Sequence, residues 1–208
     1  MLATARHVLT DPDTFFEDRA AEPQLLVPIS IVAAYIVLRI AAGLPFILLI
    51  EADLLLVLSY GIIGLGLVNV VIGFFAWFIF AGVFQVLSYL FGGSGSFRRT
   101  FTIIGWGFLP LLAGKFLMVI AVSIAAQEAP AIPLQTSEQM VKQMRAVTLQ
   151  YRDGPTILIA SLVSAAMSIW SGYIWVFAVK HTRDLSTREA LITVVVPGVL
   201  FFIVGNLL

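Results

Sequence analysis

From Leu54 to Phe91 the chain runs without a single Asp, Glu, Lys, Arg or His. As one α-helix those residues would extend about 57 Å at 1.5 Å per residue, nearly twice the ~30 Å hydrocarbon thickness of a bilayer. No soluble fold can surround a run of that length with polar surface. The remainder of the 208 residues is of the same kind: 60% are hydrophobic, 12% are charged and the mean hydropathy is +1.02, whereas a soluble domain carries about a quarter charged residues. Lipid is therefore the solvent for most of the chain. The expected fold is all-α, a polytopic integral membrane helical bundle.

Five transmembrane helices fit the pattern, over about residues 25–43, 66–91, 101–126, 156–179 and 190–207. Pro45 is expected to break the first, because a prolyl ring removes a backbone donor and clashes with the preceding turn. The uncharged run is too long for one span. Gly61, Gly64 and Gly66 mark its expected break, and residues 44–65 either cross, dip into or lie on the membrane. Ser96 is the expected cap of the third span, and Pro197-Gly198 should bend or loosen the last. Residues 1–23 read as an interfacial helical segment, with Asp11-Pro12 starting a helix and Phe15 and Phe16 dipping into lipid. Asp11, Asp13, Glu17 and Asp18 stand where a signal peptide would need an apolar core. The long polar connection at 127–155 contains Thr136-Ser137-Glu138-Gln139, with capping-box spacing. Met140, Met144, Val147 and Tyr151 follow at helical spacing, so about 137–151 should be an outer amphipathic helix, resting on the leaflet or covering the bundle.

Charge orients the bundle. With five spans, Arg6, Arg19, Arg98, Arg99, Lys180, Arg183 and Arg188 share one side, and Lys142, Arg145 and Arg152 the other. A further crossing within 54–91 would level that asymmetry. Since cytoplasmic loops carry the Lys/Arg excess, the N-terminus is expected in the cytoplasm and the C-terminus outside, in a multi-pass protein of the cell membrane.

Composition also narrows function. Twelve basic and twelve acidic residues cancel, so no nucleic-acid partner is implied. There is no cysteine, and the two histidines, His7 and His181, lie in flanks of the spans, so no metal or cofactor is expected. GGSGS at 92–96 lacks the Lys-Ser/Thr that completes a phosphate loop and reads as a turn. No catalytic residue can be nominated.

Four charges fall within the apolar segments: Arg39, Glu51, Asp53 and Lys115. On the five-span reading all lie in the outer half of the bilayer. A lone charge there costs at least ~2.5 kcal/mol and seeks a partner or water. They either pin the first two spans against the third or line an outward polar cavity, with Asn69, Gln85 and Ser123 adding hydrogen bonds. Ala160, Ser164, Ser168 and Gly172 recur every four residues and form a small-residue ladder, suited to close helix packing within the monomer or at a homodimer seam. Tyr173 and Trp175 read as interfacial belt residues.

DPDTFF at 11–16, followed by a span and then GGSGSFRRTFTIIGWGFLP at 92–110 running into another, resembles the prokaryotic branch of the Yip (Ypt/Rab-interacting protein) domain family. The recognisable positions are G-S-F-R, Gly105-Trp106 and Pro110, and span number and loop placement agree over nearly the whole chain. The resemblance implies a five-span membrane protein. Its eukaryotic members are named for binding Ypt/Rab GTPases, act in vesicle trafficking and membrane organisation, and carry a D-L-Y-G-P motif absent here. The first reading is thus a non-enzymatic membrane-organising or adaptor protein, in contact with the lipid bilayer and offering Arg98 and Arg99 to anionic headgroups or a membrane protein partner. The alternative is a small transporter or channel lined by Arg39, Glu51, Asp53 and Lys115.

Overall fold

The computed structural model describes residues 2–21, 23–47, 49–51, 63–129, 132–133, 137–152 and 154–207. These residues are overwhelmingly helical. The helices are α1 (Leu2–Thr10), α2 (Pro12–Arg19), α3 (Leu26–Ile47), α4 (Ile63–Ser88), α5 (Phe97–Ile104), α6 (Phe108–Gln127), α7 (Ser137–Arg152), α8 (Pro155–Arg183) and α9 (Thr187–Leu207). Four stretches of the described residues are long and apolar enough to cross a membrane: Leu26–Pro45, Gly66–Phe91, Phe97–Gln127 and Pro155–Arg183. The chain divides into two compact units, one of Met1–Ala33, Phe74–Leu111 and Ser168–Leu208, the other of Ala34–Gly73 and Leu112–Met167.

In the first unit, Asp11 caps α2 by accepting the Thr14 amide at 3.4 Å, and Pro12 takes the first turn. Phe15 and Phe16 do not enter lipid, contrary to expectation: both are fully buried in protein. Phe15 meets Trp106 edge-on at 5.0 Å and lies beneath the Arg19 guanidinium at 4.3 Å. Aromatic burial of this kind is worth roughly 1.5–3 kcal/mol per ring, and it docks the N-terminal helices to the bundle.

The helix expected over 101–126 begins earlier, at Phe97, where the Ser96 hydroxyl accepts the Arg99 amide at 3.4 Å. It is interrupted at Gly105–Gly107 by a 3₁₀ turn. Tightening frees carbonyls, and α8 collects them: Trp175 Nε1 donates to Ile104 O at 2.8 Å and Ser171 Oγ donates to Gly107 O. A Cβ at Gly107 would lie 2.0 Å from Trp175 Nε1, so only glycine admits the indole. Trp175 is therefore a core residue, correcting its assignment to the interfacial belt, whereas Tyr173 is exposed.

In the second unit, α3 continues through Pro45 to Ile47, so the proline does not end the helix. Likewise Gly64 and Gly66, the expected site of a break, lie inside α4, and Gly61 is outside the described residues. α3 and α4 approach closely at Gly73, where a Cβ would fall 2.4 Å from Ile36 Cγ1. Ile50–Glu51 (β1) and Ile132–Pro133 (β2) form a short parallel pair, Ile50 opposite Ile132 and Glu51 opposite Pro133. In α7 Val147 is buried and Lys142 and Arg145 are exposed. A 2.8 Å Glu138–Lys142 ion pair lies on its outer face.

Candidate functional site

α8 ends in a run of polar residues, Lys180-His181-Thr182-Arg183-Asp184, and the first unit is organised around them. Its helix closes with the Leu185 amide donating to Lys180 O at 3.0 Å and Asp184 in the left-handed region at φ 54°, the six-to-one closure common at helix ends. Ser186 and Glu189 then start α9 as a reciprocal cap: the Ser186 amide donates to Glu189 Oε2 at 2.9 Å and the Glu189 amide to Ser186 Oγ at 3.4 Å. The bonds from Ser186 hold the Glu189 carboxyl below its ordinary value.

Arg183 is fully buried. Its Nε donates to Ser88 Oγ at 2.7 Å, Nη2 to Gly93 O at 2.8 Å and Nη1 to Gly95 O, while the guanidinium stacks 4.7 Å over Tyr89. The loop grips back, with the Ser94 amide on Arg183 O at 3.0 Å and the Ser94 hydroxyl donating to Asp184 Oδ2 at 2.6 Å. GGSGS is thus a cradle for an arginine rather than a free turn. Its glycines are required by that fit: Gly95 has φ 103°, and a Cβ there would stand 2.6 Å from Thr182 O.

Behind the cradle, Gln85 Nε2 donates to Tyr89 Oη at 2.8 Å and its Oε1 accepts from Thr100 Oγ1 at 2.8 Å. Gln85 therefore belongs to this network and not to the intramembrane charges. In front, Asp13 Oδ1 receives both Lys180 Nζ and His181 Nε2 at 2.6 Å. The Lys180 bond, assisted by that of His181, outweighs desolvation and holds the Asp13 carboxyl below its ordinary value. Arg99 donates to Ala20 O and, at 3.2 Å, to His181 O, tying α2, α5 and α8 together. Of the two arginines nominated for headgroup contact, Arg99 is thus committed to carbonyls within the protein, and Arg98 is exposed.

Of the four charges within the apolar segments, Arg39 and Lys115 are described, and both lie in the second unit. Arg39 Nε donates to Asn69 Oδ1 at 2.7 Å, and Lys115 is half-buried. Asp53 lies outside the described residues, and of Glu51 only the backbone is described. Ser123 donates locally, to Val119 O at 2.8 Å. The small-residue ladder divides: Ala160 is buried and Ser164 Oγ donates to Gly114 O at 3.1 Å, whereas a Cβ at Gly172 would meet nothing within 4 Å. An apolar groove of about 310 Å³ follows α4 past Phe78, Gly82 and Val86 and offers nothing to hold a polar solute. Among the described residues no group of His, Cys, Asp and Glu is placed to bind a metal.

From the sequence, Arg183 reads only as a topological charge. The signal for its burial is the pairing of a Gly-rich turn with a Lys-His-Thr-Arg-Asp helix end, and the Ser186-x-x-Glu189 spacing is the signal for the cap that follows it.

The Yip1 domain model matches residues 6–207. An uncharacterized protein of the archaeon Methanocaldococcus jannaschii is 33% identical over 118 residues, covering 53% of this chain and 82% of the relative. No solved structure matches the chain.

Proposed function

Because the chain belongs to the Yip1 domain family, we propose that it is a non-enzymatic membrane-organising or adaptor protein of the cell membrane, with five spans, a cytoplasmic N-terminus and an outer C-terminus. α9 supplies the fifth span, and the Lys/Arg bias of the loops supports the orientation. The observation that carries the reading is the Arg183 cradle. Three donor groups of one buried guanidinium immobilise the loop that precedes α5, and Arg98 projects exposed from the first turn of that helix. A fixed basic position beside a docked α1–α2 pair is suited to hold an anionic headgroup or a membrane protein partner. Enzymatic chemistry is disfavoured by the use of these polar groups: Arg183, Arg99, Lys180 and Asp13 are spent on one another, on His181, on the Ser88 hydroxyl and on backbone carbonyls.

The test uses full-length protein in zwitterionic nanodiscs and measures capture of phosphatidylglycerol vesicles. Arg98→Ala should weaken capture about fivefold, the equivalent of ~1 kcal/mol per basic residue near an anionic surface. Unaltered capture would remove Arg98 from the contact.

A further inference from the structure

α2 and α5 are joined at a point where each carries an exposed arginine. Arg99 Nε donates to Ala20 O, and its Nη2 donates to His181 O at 3.2 Å. The residues just before the two joined positions are Arg19 and Arg98, both exposed. The bond between their neighbours therefore brings two arginines, far apart in the chain, to one junction of the first unit. Among the described residues neither side chain makes a hydrogen bond or ion pair. They are held differently. Arg98 stands on the first turn of α5, directly after the loop that Arg183 immobilises. The Arg19 guanidinium lies 4.3 Å over the Phe15 ring, which is fully buried and meets Trp106 edge-on at 5.0 Å. A guanidinium laid flat on an aromatic keeps its N–H fork in its own plane, so Phe15 orients the cation without consuming its donors. Both arginines belong to the head of the apolar stretch Phe97–Gln127. From Trp106 to Gln127 the helical path is already roughly 33 Å, enough to cross the ~30 Å hydrocarbon core. That leaves the turns carrying Arg98, and the Phe15 ring packed on Trp106, at headgroup level.

We propose that Arg19 is a second headgroup contact, which together with Arg98 gives this junction a bipartite grip on the phosphate groups of anionic phospholipid. The inference rests on the headgroup role proposed for Arg98 and extends it to the docked α1–α2 pair. Arg98 supplies charge near the surface. Arg19 adds a fork, preset by Phe15, that can meet two phosphate oxygens at once. Glu17 and Asp18 are exposed on the same helix and oppose a diffuse attraction to anions. The Arg19 contact thus depends on its directional hydrogen bonds rather than on the net charge of α2.

The experiment is vesicle capture by the full chain in zwitterionic nanodiscs, with phosphatidylglycerol vesicles as probe and phosphatidylcholine vesicles as control. Arg19→Ala should weaken phosphatidylglycerol capture about fivefold and leave the control unaltered. The difference from the parent chain should shrink at high salt, where surface charges are screened. Arg19→Lys keeps the charge but not the fork and should recover only part of the lost capture; full recovery would reduce the contact to charge alone and overturn the proposal. Tm, read on each variant, separates contact from packing. If Arg19→Ala lowers Tm and weakens capture of both lipids equally, Arg19 is a structural residue and the proposal fails. Arg98→Ala, measured in parallel, distinguishes this failure from that of the Arg98 contact. Full capture in Arg19→Ala with weakened capture in Arg98→Ala overturns the Arg19 contact and leaves Arg98 standing, whereas full capture in both variants removes both.

Discussion

Replacing Arg183 with Met keeps most of the stem volume and deletes the guanidinium. Three acceptors, Ser88 Oγ, Gly93 O and Gly95 O, lose their donor in a region where the arginine itself is fully buried. An unmet buried acceptor costs about 1–3 kcal/mol, and the contact over Tyr89 adds roughly 0.5–2 kcal/mol. Relief of desolvating the charge works in the opposite direction, so the net loss should be about 3 kcal/mol. For a chain of this size that corresponds to a fall in Tm of roughly 6–12 °C. Arg183→Lys should fall between, since an ammonium retains the charge but does not reproduce the fork that meets three acceptors. The chain contains no cysteine, so a single Leu185→Cys, at a position 7% exposed, reports local opening by its maleimide labelling rate. Arg183→Met should accelerate that labelling before global unfolding. A variant with unaltered Tm and unaltered labelling would show that the cradle is not held by the arginine.

Asp13 gives a pH prediction. Its carboxyl is held below its ordinary value, so the clasp's stability is fully present above about pH 4 and is lost as pH falls through the lowered value. Since its side chain is 43% exposed, the contribution should be no more than ~1 kcal/mol, and Asp13→Asn should abolish the acid-induced rise in proteolysis of α1–α2. Gly107→Ala places a Cβ 2.0 Å from Trp175 Nε1 and should destabilise by roughly 1–3 kcal/mol, read as Tm in detergent. Gly172→Ala meets nothing within 4 Å and should leave Tm unaltered unless the ladder is a dimer seam, which cross-linking would then reveal as lost dimer. For topology, Ser186→Cys should label only from the cytoplasmic side and Gln139→Cys only from outside; labelling of both from one side would refute the five-span reading.

Much of the fold is readable in the sequence because membrane helices must satisfy their own backbone, so apolar length alone marks them. The caps at Asp11 and Ser96 are readable for a similar reason: a cap is a local bond between a side chain and amides two or three residues away. Breaks are less legible. Pro45 suggests an end that α3 does not make, and Gly64 and Gly66 suggest a break that α4 does not show. The real interruption, at Gly105–Gly107, depends on Trp175 and Ser171 of α8 donating hydrogen bonds to the freed carbonyls.

The sequence by itself determined that this chain is helical and carries apolar stretches long enough to belong in lipid. These follow from composition and from one-dimensional spacing, which do not require knowing what any residue touches. Only the tertiary structure decided the fate of individual polar side chains. Arg99 and Arg183, which read as free loop charges, are consumed by carbonyls distant in sequence, while Phe15 and Phe16 find protein instead of lipid. Arg39 finds Asn69, thirty residues on, as its hydrogen-bond partner. The physical reason is the same in each case: a buried polar or charged group is defined by its partners, and partners are set by packing across helices rather than by neighbours along the chain.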